Sequence, residues 1–248
     1  MSDFAAFYQV VLENTYKFLF DNIRQCDIII DAGTNIGLFS IIASRISGEC
    51  GKVIAIEPEK INLDILKENI EQNNIKNIEI VPKALYNLSG ETVYLEGEGV
   101  GAHISTQGIP VKTITLDDIV SEYRLAPRML KMDIEGAEDK ALESGRKALS
   151  TITHIEMEVH GKQQHDTIKN ILSIIGFSET EVPVENLWEV AKRSLKHPLL
   201  VLQIEKNNKF NTTSRVVKSI LADITRLNRH DKSDIGTKYP RILYYYRT

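Results

Sequence analysis

The sequence contains no run of the roughly 20 apolar residues that a membrane-spanning helix requires. Its first residues also lack the charged and apolar stretches of a secretory signal, so we predict a cytoplasmic protein without a membrane span. Only two cysteines occur, Cys26 and Cys50, and no C-x-x-C spacing of a metal site is present. Both precede apolar runs that should form neighbouring strands. Because disulfides are rare in the cytosol, we nevertheless expect two free thiols.

Three nucleotide-related motifs are missing as well. The fingerprint G-x-G-x-x-G is not matched because Asn35 stands at the position of its middle glycine, which argues against an NAD-dependent oxidoreductase. No G-K-[ST] follows the turn, so a P-loop is excluded. The N/D-P-P-Y/F run of methyltransferases that act on base nitrogens is absent, since the fourth predicted strand is followed by Asp133-Ile-Glu-Gly.

The charge is unevenly distributed over the 248 residues. Residues 1–205 carry a formal charge of −11 and residues 206–248 one of +7. Such a basic tail could contact nucleic acid or anionic lipid, but it has no dense Lys/Arg block, so we favour a solvated or subunit-contacting helix. We predict an N-terminal helical segment (1–26), a main domain (27–205) and a basic C-terminal extension (206–248).

Short apolar runs alternate with amphipathic stretches, which is typical of βαβ units and a parallel sheet. Residues 85–115 are rich in Gly, Ser and Thr and predict a hairpin excursion. The placement of a strand-like run at 241–246 cannot be derived. The predicted strands are 27–31, 52–57, 77–81, 128–133, 152–160, 181–184 and 199–205. The predicted helices are 36–46, 59–73, 136–149, 166–175 and 214–227, after one or two helices within 4–22.

The turn after the first predicted strand has the composition of a ligand site. It reads Asp31-Ala-Gly-Thr-Asn-Ile-Gly37, and ligands of open α/β sheets lie beyond the carboxyl ends of the strands. Glycines there let the backbone approach a ligand. Glu57 closes the second strand, where it could accept hydrogen bonds from both ribose hydroxyls of an adenosine. The alternative for Glu57 is a carboxylate that stabilises a helix N-terminus. A nucleoside without a pyrophosphate, such as S-adenosylmethionine, fits this turn better than NAD.

A second polar group follows the fourth and fifth predicted strands. Asp133 ends one strand, and the other places His154, Glu156, Glu158 and His160 on one face. Burying such groups is costly unless they are paired or functional. We therefore expect Asp133, Glu158 and His160 to line a pocket beside the cofactor. His154 is expected at the opposite edge, Lys131 is a candidate partner for Glu156 or Glu158, and Glu135 and Glu138 could simply favour a helix N-terminus.

Together these motifs resemble the FkbM-type methyltransferase family. The matching segments follow the family's order within residues 27–160: DAGTNIGLFS (31–40), IEP (56–58), TLDDIV (115–120), LKMDIEGAE (130–138) and the E-x-H of MEVH (157–160). The resemblance implies an α/β, Rossmann-like class I methyltransferase fold with a mostly parallel seven-stranded sheet, helices on both faces and an antiparallel last strand. It also implies S-adenosylmethionine as methyl donor and a hydroxyl oxygen, often on a sugar or a secondary metabolite, as acceptor.

The resemblance also assigns residues to the cofactor site. They are Asp31, Gly33, Asn35 and Gly37 in the turn, Glu57 at the ribose and Ala84 near the adenine. Lys83 stands where many methyltransferases carry an acidic residue that contacts the adenine amino group. Thr34 replaces an alanine that is more frequent in the family.

For the chemistry we predict Asp133, His160 and Glu158, in that order, as candidates for the base that takes the acceptor's proton. No residue is assigned as a metal ligand, although the same three could hold a divalent cation. The expected partner is a small-molecule or glycan acceptor. An RNA methyltransferase that uses the basic tail is the alternative function, and a non-enzymatic adenosine-binding module is less favoured. Acceptor identity and oligomeric state cannot be derived.

Overall fold

The computed structural model describes residues 16–97, 102–181 and 241–247. Its helices are α1 (Lys17–Asn22), α2 (Leu38–Ser47), α3 (Lys60–Gln72), α4 (Leu116–Glu122), α5 (Glu138–Glu143), α6 (Arg146–Thr151) and α7 (Lys162–Ile174). Its strands are β1 (Ile28–Ala32), β2 (Lys52–Ile56), β3 (Ile78–Val81), β4 (Ala84–Leu85), β5 (Thr92–Glu96), β6 (His103–Ser105), β7 (Ile109–Ile114), β8 (Met129–Met132), β9 (His154–Val159), β10 (Ser178–Glu181) and β11 (Arg241–Tyr246).

A seven-stranded sheet forms the centre of the fold, in the order β10-β11-β9-β8-β1-β2-β3. Strand β11 runs in the opposite direction to the other six strands of this sheet, which all share one direction. Alternate side chains of β1 enter different cores: Ile29 packs with α1 and α2, whereas Ile30 packs with α4 and the helices on the other face. Because both faces are covered, the central strands are almost continuously apolar. The predicted α/β fold with a mostly parallel sheet and helices on both faces is confirmed.

The predicted hairpin excursion is a separate four-stranded sheet, in the order β4-β7-β5-β6. β5 pairs antiparallel with both β6 and β7, while the two-residue strand β4 pairs parallel with β7. This sheet begins directly after β3, so it extends the chain beyond the carboxyl end of β2 and β3. In that place it flanks the edge at which the ligand site is expected.

The structure differs from the predicted elements in several places. Helix α4 was not predicted, and β10 lies at 178–181, whereas a strand was predicted at 181–184. The helix predicted over 136–149 is divided into α5 and α6, with Gly145 between them. A Cβ at Gly145 would lie 2.8 Å from Leu116 Cδ1, so the end of this α4 side chain would have to shift if a larger residue stood here. The last strand of the sheet is 241–246, which lies between β9 and β10. The predicted boundary at residue 205 therefore does not separate these residues from the sheet. The segments predicted at 199–205 and 214–227 lie outside the described residues.

The expectation of two free thiols is wrong, because Cys26 and Cys50 form a disulfide. Each residue precedes a strand, and β1 and β2 pair in parallel with Ile28 opposite Lys52. That register brings the two Cα atoms to 4.6 Å. The expectation rested on cellular compartment, whereas the strand register supplies the geometry that a disulfide needs.

None of the described helices is long and apolar enough to cross a membrane.

Helix α1 is attached to the sheet by a buried carboxyl group. Glu156 on β9 is fully buried, and one of its oxygens accepts a hydrogen bond from Leu19 N at 3.0 Å. Its other oxygen has no hydrogen-bond partner within the described part of the chain. Burial raises the pKa of Glu156 to about 8, so this side chain is a neutral acid near pH 7.

Glu156→Gln is therefore expected to remove a pH dependence of stability. The folded pKa lies above the unfolded one, so the wild type loses stability as pH rises from about 4.5 to about 8. Between pH 5 and pH 7 the wild type should lose roughly 2 to 3 kcal/mol more than the variant. Urea unfolding at several pH values measures this difference. Glu71→Gln, at an exposed position of α3, should keep the wild-type slope. Parallel curves for wild type and Glu156→Gln would contradict the assignment.

Candidate active site

The turn after β1 is built from residues in the left-handed backbone region. Gly33, Asn35 and Gly37 have φ values of +73°, +53° and +91°. A Cβ at Gly33 would lie 1.7 Å from the carbonyl oxygen of Asp133, so the chain passes against β8 without room for a side chain. Asparagine is one of the few other residues that adopt this conformation readily, which explains Asn35 at the middle position.

Asp31 stabilises this turn from inside the protein. It is fully buried, and its Oδ2 accepts a hydrogen bond from Ser40 Oγ at 2.6 Å. Lys131 Nζ lies 3.3 Å from Asp31 Oδ1 and donates to the carbonyl oxygen of Gly33 at 2.6 Å. Asp31 therefore acts on the Gly33 turn through its neighbours, with its carboxylate inside the protein.

Lys131 lies between the Gly33 turn and Asp133. The sequence did not assign it a role in the site. The ion pair with Glu156 or Glu158 that was considered as an alternative does not form, because Lys131 pairs with Asp31. Burial works to lower the pKa of Lys131, but Asp31 and Asp133 outweigh it and raise that pKa above its usual value. The ammonium group of Lys131 thus stays charged and donates its hydrogen bond to the Gly33 carbonyl oxygen. Its position two residues before Asp133 on β8 was the only signal in the sequence.

Glu57 lies beside the turn, as expected. It is 5% exposed, and it accepts hydrogen bonds from Asn35 N at 2.8 Å and Glu59 N at 2.9 Å. Burial raises its pKa. The carboxylate therefore connects the turn to the residue that precedes α3, which is the alternative role weighed above. Oε1 also accepts a hydrogen bond from Asn62 Nδ2 at 3.4 Å, whereas Oε2 accepts only the one from Asn35 N and retains a lone pair at which a ribose could bind.

Ala84 is buried in β4. It directly follows Lys83, whose N–H donates back to Val81 O in the turn that leaves β3. It pairs with Thr113 of β7. Lys83, which precedes it, is half-buried. Ala84 thus lies just beyond the carboxyl end of β3, the edge at which Gly33 and Glu57 follow β1 and β2.

Three predicted side chains meet at the ends of β8 and β9. Asp133, Glu158 and His160 are all half-buried, and each offers a ligand atom within 4.8 Å of the others. Within the described residues this is the one group of its kind that could hold a metal ion. The structure therefore brings the three candidates together. Glu156 and His154, on the same face of β9, lie farther from this edge and contact Leu19 and Arg128 instead.

The carboxylates of this group differ in their surroundings. Asp133 Oδ2 accepts a hydrogen bond from Tyr16 OH at 3.0 Å, while its Oδ1 is buried and has no hydrogen-bond partner among the described residues. Burial and the neighbouring Asp133 raise the pKa of Glu158 to about 7. A carboxyl group with such a pKa is well matched to proton transfer near neutral pH.

His160 is enclosed by acidic groups. Its Nε2 lies 3.4 Å from Glu135 and its Nδ1 lies 3.6 Å from Glu138. These two carboxylates raise the pKa of His160 to about 10, so the ring is protonated near neutral pH. An imidazolium cannot accept a proton. His160 is therefore a weaker candidate for the base than Asp133 or Glu158. Its positive charge instead balances the negative charge of the neighbouring carboxylates.

Glu138 organises the loop that presents Asp133. It is fully buried, and its Oε1 accepts hydrogen bonds from Ile134 N at 3.0 Å and Gly136 N at 3.3 Å. Its Oε2 accepts from Gln164 Nε2 at 2.7 Å, and Gln164 Oε1 in turn accepts from His160 N at 2.9 Å. Glu138 is thus more than a favourable residue at a helix N-terminus, because it connects the ends of β8 and β9.

Comparison with known proteins gives the following similarities. Residues 31–180 match the family model described as the Methyltransferase FkbM domain. The hexuronic acid methyltransferase AglP of Haloferax volcanii is 26% identical over 169 residues, which cover 65% of this chain and 67% of that protein. The uncharacterized protein MJ1452 of Methanocaldococcus jannaschii is 25% identical over 66% of this chain and 60% of its own length. A SAM-dependent methyltransferase structure from Aquifex aeolicus is 15% identical over 71% of this chain and 87% of that one, with a TM-score of 0.45.

Proposed function

The chain belongs to the FkbM methyltransferase family, and we propose that it methylates a hydroxyl oxygen of a sugar or another small molecule. It is an S-adenosylmethionine-dependent methyltransferase, as the sequence predicted. The identity of the acceptor is the part that we propose. One observation carries this proposal: Asp133, Glu158 and His160 converge at the strand ends beside the Gly33 turn.

The charge of this group favours an uncharged nucleophile, such as a hydroxyl group, over an anionic one. Four carboxylates, those of Asp133, Glu135, Glu138 and Glu158, surround the single imidazole of His160. Such a cluster repels an anionic nucleophile but assists the loss of a proton from a hydroxyl group. The similarity to a hexuronic acid methyltransferase makes a glycan hydroxyl the first acceptor to test.

In the proposed reaction, the acceptor oxygen forms a bond to the methyl carbon as the bond from that carbon to the sulfonium breaks. The hydroxyl proton passes to a carboxylate, and S-adenosylhomocysteine leaves. Positioning can supply much of the rate, because the leaving group is already activated. Asp133 is the first candidate for the base and Glu158 the second. A divalent cation on the same three side chains is the alternative, in which case EDTA would abolish transfer and Mg²⁺ or Mn²⁺ would restore it.

For the donor site we propose that Asn35, Gly33, Gly37 and Asp31 shape the turn, that Glu57 binds the ribose and that Ala84 borders the adenine. Glu57→Gln is expected to weaken binding of S-adenosylmethionine and S-adenosylhomocysteine roughly ten- to hundredfold, because an amide loses charge-assisted bonds to the ribose hydroxyls. Calorimetric titration with both nucleosides and with NAD measures this, and Glu71→Gln is the matched control. Unchanged affinity in Glu57→Gln would assign Glu57 a purely structural role.

The acceptor is tested with purified protein and tritiated methyl donor. The probes are 4-nitrophenyl β-D-glucuronide, 4-nitrophenyl β-D-glucoside and total RNA. Label that is retained on a glucuronide or glucoside after mild alkali supports an ether on a hydroxyl, because a methyl ester would be hydrolysed. Label on RNA alone, sensitive to salt, would favour the RNA methyltransferase instead.

A further inference from the structure

A residue outside the FkbM domain, Tyr16, contacts the group at the ends of β8 and β9. Tyr16 precedes α1, 15 positions before that domain begins at residue 31, yet its hydroxyl group reaches Asp133. The ring is 3% exposed, so the contact is made inside the protein. We propose that Tyr16 is a positioning residue, which fixes the carboxylate of Asp133 so that Oδ1 faces the acceptor hydroxyl. This inference rests on the proposed function.

The hydrogen bond has a defined direction. Burial, followed by the charge of Asp133, raises the pKa of Tyr16 well above its usual value, so the phenol keeps its proton and donates. Oδ2 of Asp133 is thereby engaged at 3.0 Å. Oδ1 is buried and has no hydrogen-bond partner in the described ranges, so it is the oxygen left to accept the acceptor's proton.

Tyr16 is held in place by contacts that do not involve its hydroxyl group. Its ring meets Phe39 edge-on, with centroids 5.4 Å apart, and Lys131 Nζ lies 5.3 Å from its centroid. The helix that follows is anchored separately, through Leu19 N and Glu156. Removing only the hydroxyl group should therefore leave the ring and α1 where they are. Tyr16→Phe consequently isolates the hydrogen bond.

Lys131 and Tyr16 also connect the proposed donor site at the Gly33 turn with the proposed acceptor site at Asp133. Lys131 contacts the Gly33 carbonyl and the Tyr16 ring, while Tyr16 contacts Asp133. The N-terminal segment thus contributes to the wall of the acceptor site. The methyl group passes from sulfur to the acceptor oxygen, and the acceptor's proton passes to Oδ1, because Oδ2 already accepts the hydrogen bond from the Tyr16 hydroxyl group.

The test uses the full chain with 4-nitrophenyl β-D-glucuronide and tritiated methyl donor. Tyr16→Phe should lower kcat roughly ten- to hundredfold, the loss expected for a hydrogen bond to a charged group, with affinity for S-adenosylhomocysteine unchanged. Tyr123→Phe, at a half-exposed position that follows α4, is the matched control and should behave as wild type. In an Asp133→Asn background the Tyr16 change should have almost no further effect.

Two results would overturn the inference: wild-type kcat in Tyr16→Phe, or the same fold loss with and without Asp133. If the wild type labels none of the probes, the proposed acceptor class fails, and crystal structures with S-adenosylhomocysteine decide on Tyr16. The inference requires the Asp133 carboxylate to rotate in Tyr16→Phe. An unchanged carboxylate orientation there would refute it, whatever the acceptor is.

Discussion

Asp133→Asn is expected to lower methyl transfer by roughly 10²- to 10⁴-fold, the usual contribution of a general base. Asparagine has almost the same shape, and its carbonyl oxygen can still accept the hydrogen bond from Tyr16. It cannot take a proton from the acceptor. Affinity for S-adenosylhomocysteine should stay at the wild-type level, because the donor turn contacts Asp133 through its main-chain carbonyl.

Glu158 should not replace Asp133 in this variant. Its pKa of about 7 is due first to burial and then to the negative charge of Asp133. Without that charge the pKa falls, and Glu158 becomes a weaker base. His160 is already protonated between Glu135 and Glu138. The carboxyl groups of Asp133 and Glu158 and the imidazole of His160 therefore act as one unit. The effects of their single substitutions on the rate should not be additive.

The measurement is the rate at which the tritiated methyl group is transferred to the acceptor by Asp133→Asn, Glu158→Gln and His160→Gln. Calorimetry measures donor binding by each variant. Asp139→Asn, at a half-buried position of α5, is the matched control. A larger loss in Glu158→Gln than in Asp133→Asn would make Glu158 the base. Retained turnover in a variant that lacks both Asp133 and His160 would refute the proposed site.

The central strands β1, β2 and β8 could be predicted because each is covered on both faces and therefore reads as a short, largely apolar run. The turn was predictable for a related reason: Gly33 and Gly37 adopt backbone conformations that other residues rarely take, so the restriction is visible in the sequence. Asp133 and Glu158 could be placed together since neighbouring parallel strands end at one edge.

The contacts that escaped prediction all join positions far apart in the chain. Strand β11 enters the sheet between β9 and β10, although 59 residues lie between β10 and β11 in the sequence and more between β9 and β11. Tyr16 reaches Asp133 across 117 positions, and Lys131 selects Asp31 on the neighbouring strand. Such pairings depend on strand register and helix packing, whereas periodicity reports only which face of an element is buried.

The protonation of His160 was missed for a different reason. The sequence places it near Glu158, but its two flanking carboxylates belong to the loop after β8 and the start of α5. An isolated histidine has a pKa near neutrality, which favours a base. Only the assembled loop, with Glu138 bonded to Ile134 N and Gly136 N, reveals that the ring lies between two anions.

Gly33→Ala should destabilise the protein by on the order of 3 to 5 kcal/mol, at the upper end of single substitutions. The added Cβ would lie 1.7 Å from Asp133 O, and this backbone cannot easily retreat because Asp133 N bonds to Ala32 O at 3.0 Å. The φ of +73° adds further strain. Any folded variant should bind S-adenosylhomocysteine at least roughly a hundredfold more weakly, because the turn must move away from β8.

Gly90→Ala is the matched control, because it separates steric collision from backbone strain. Gly90 has a similar φ of +80°, but nothing lies within 4 Å of an added Cβ. It should cost only about 1 to 2 kcal/mol, the strain of a left-handed residue, with donor binding intact. Urea unfolding and calorimetry of both variants measure the difference. Equal destabilisation would mean that the contact between the Gly33 turn and β8 relaxes freely, and the close approach that builds the donor site would then contribute nothing to its shape.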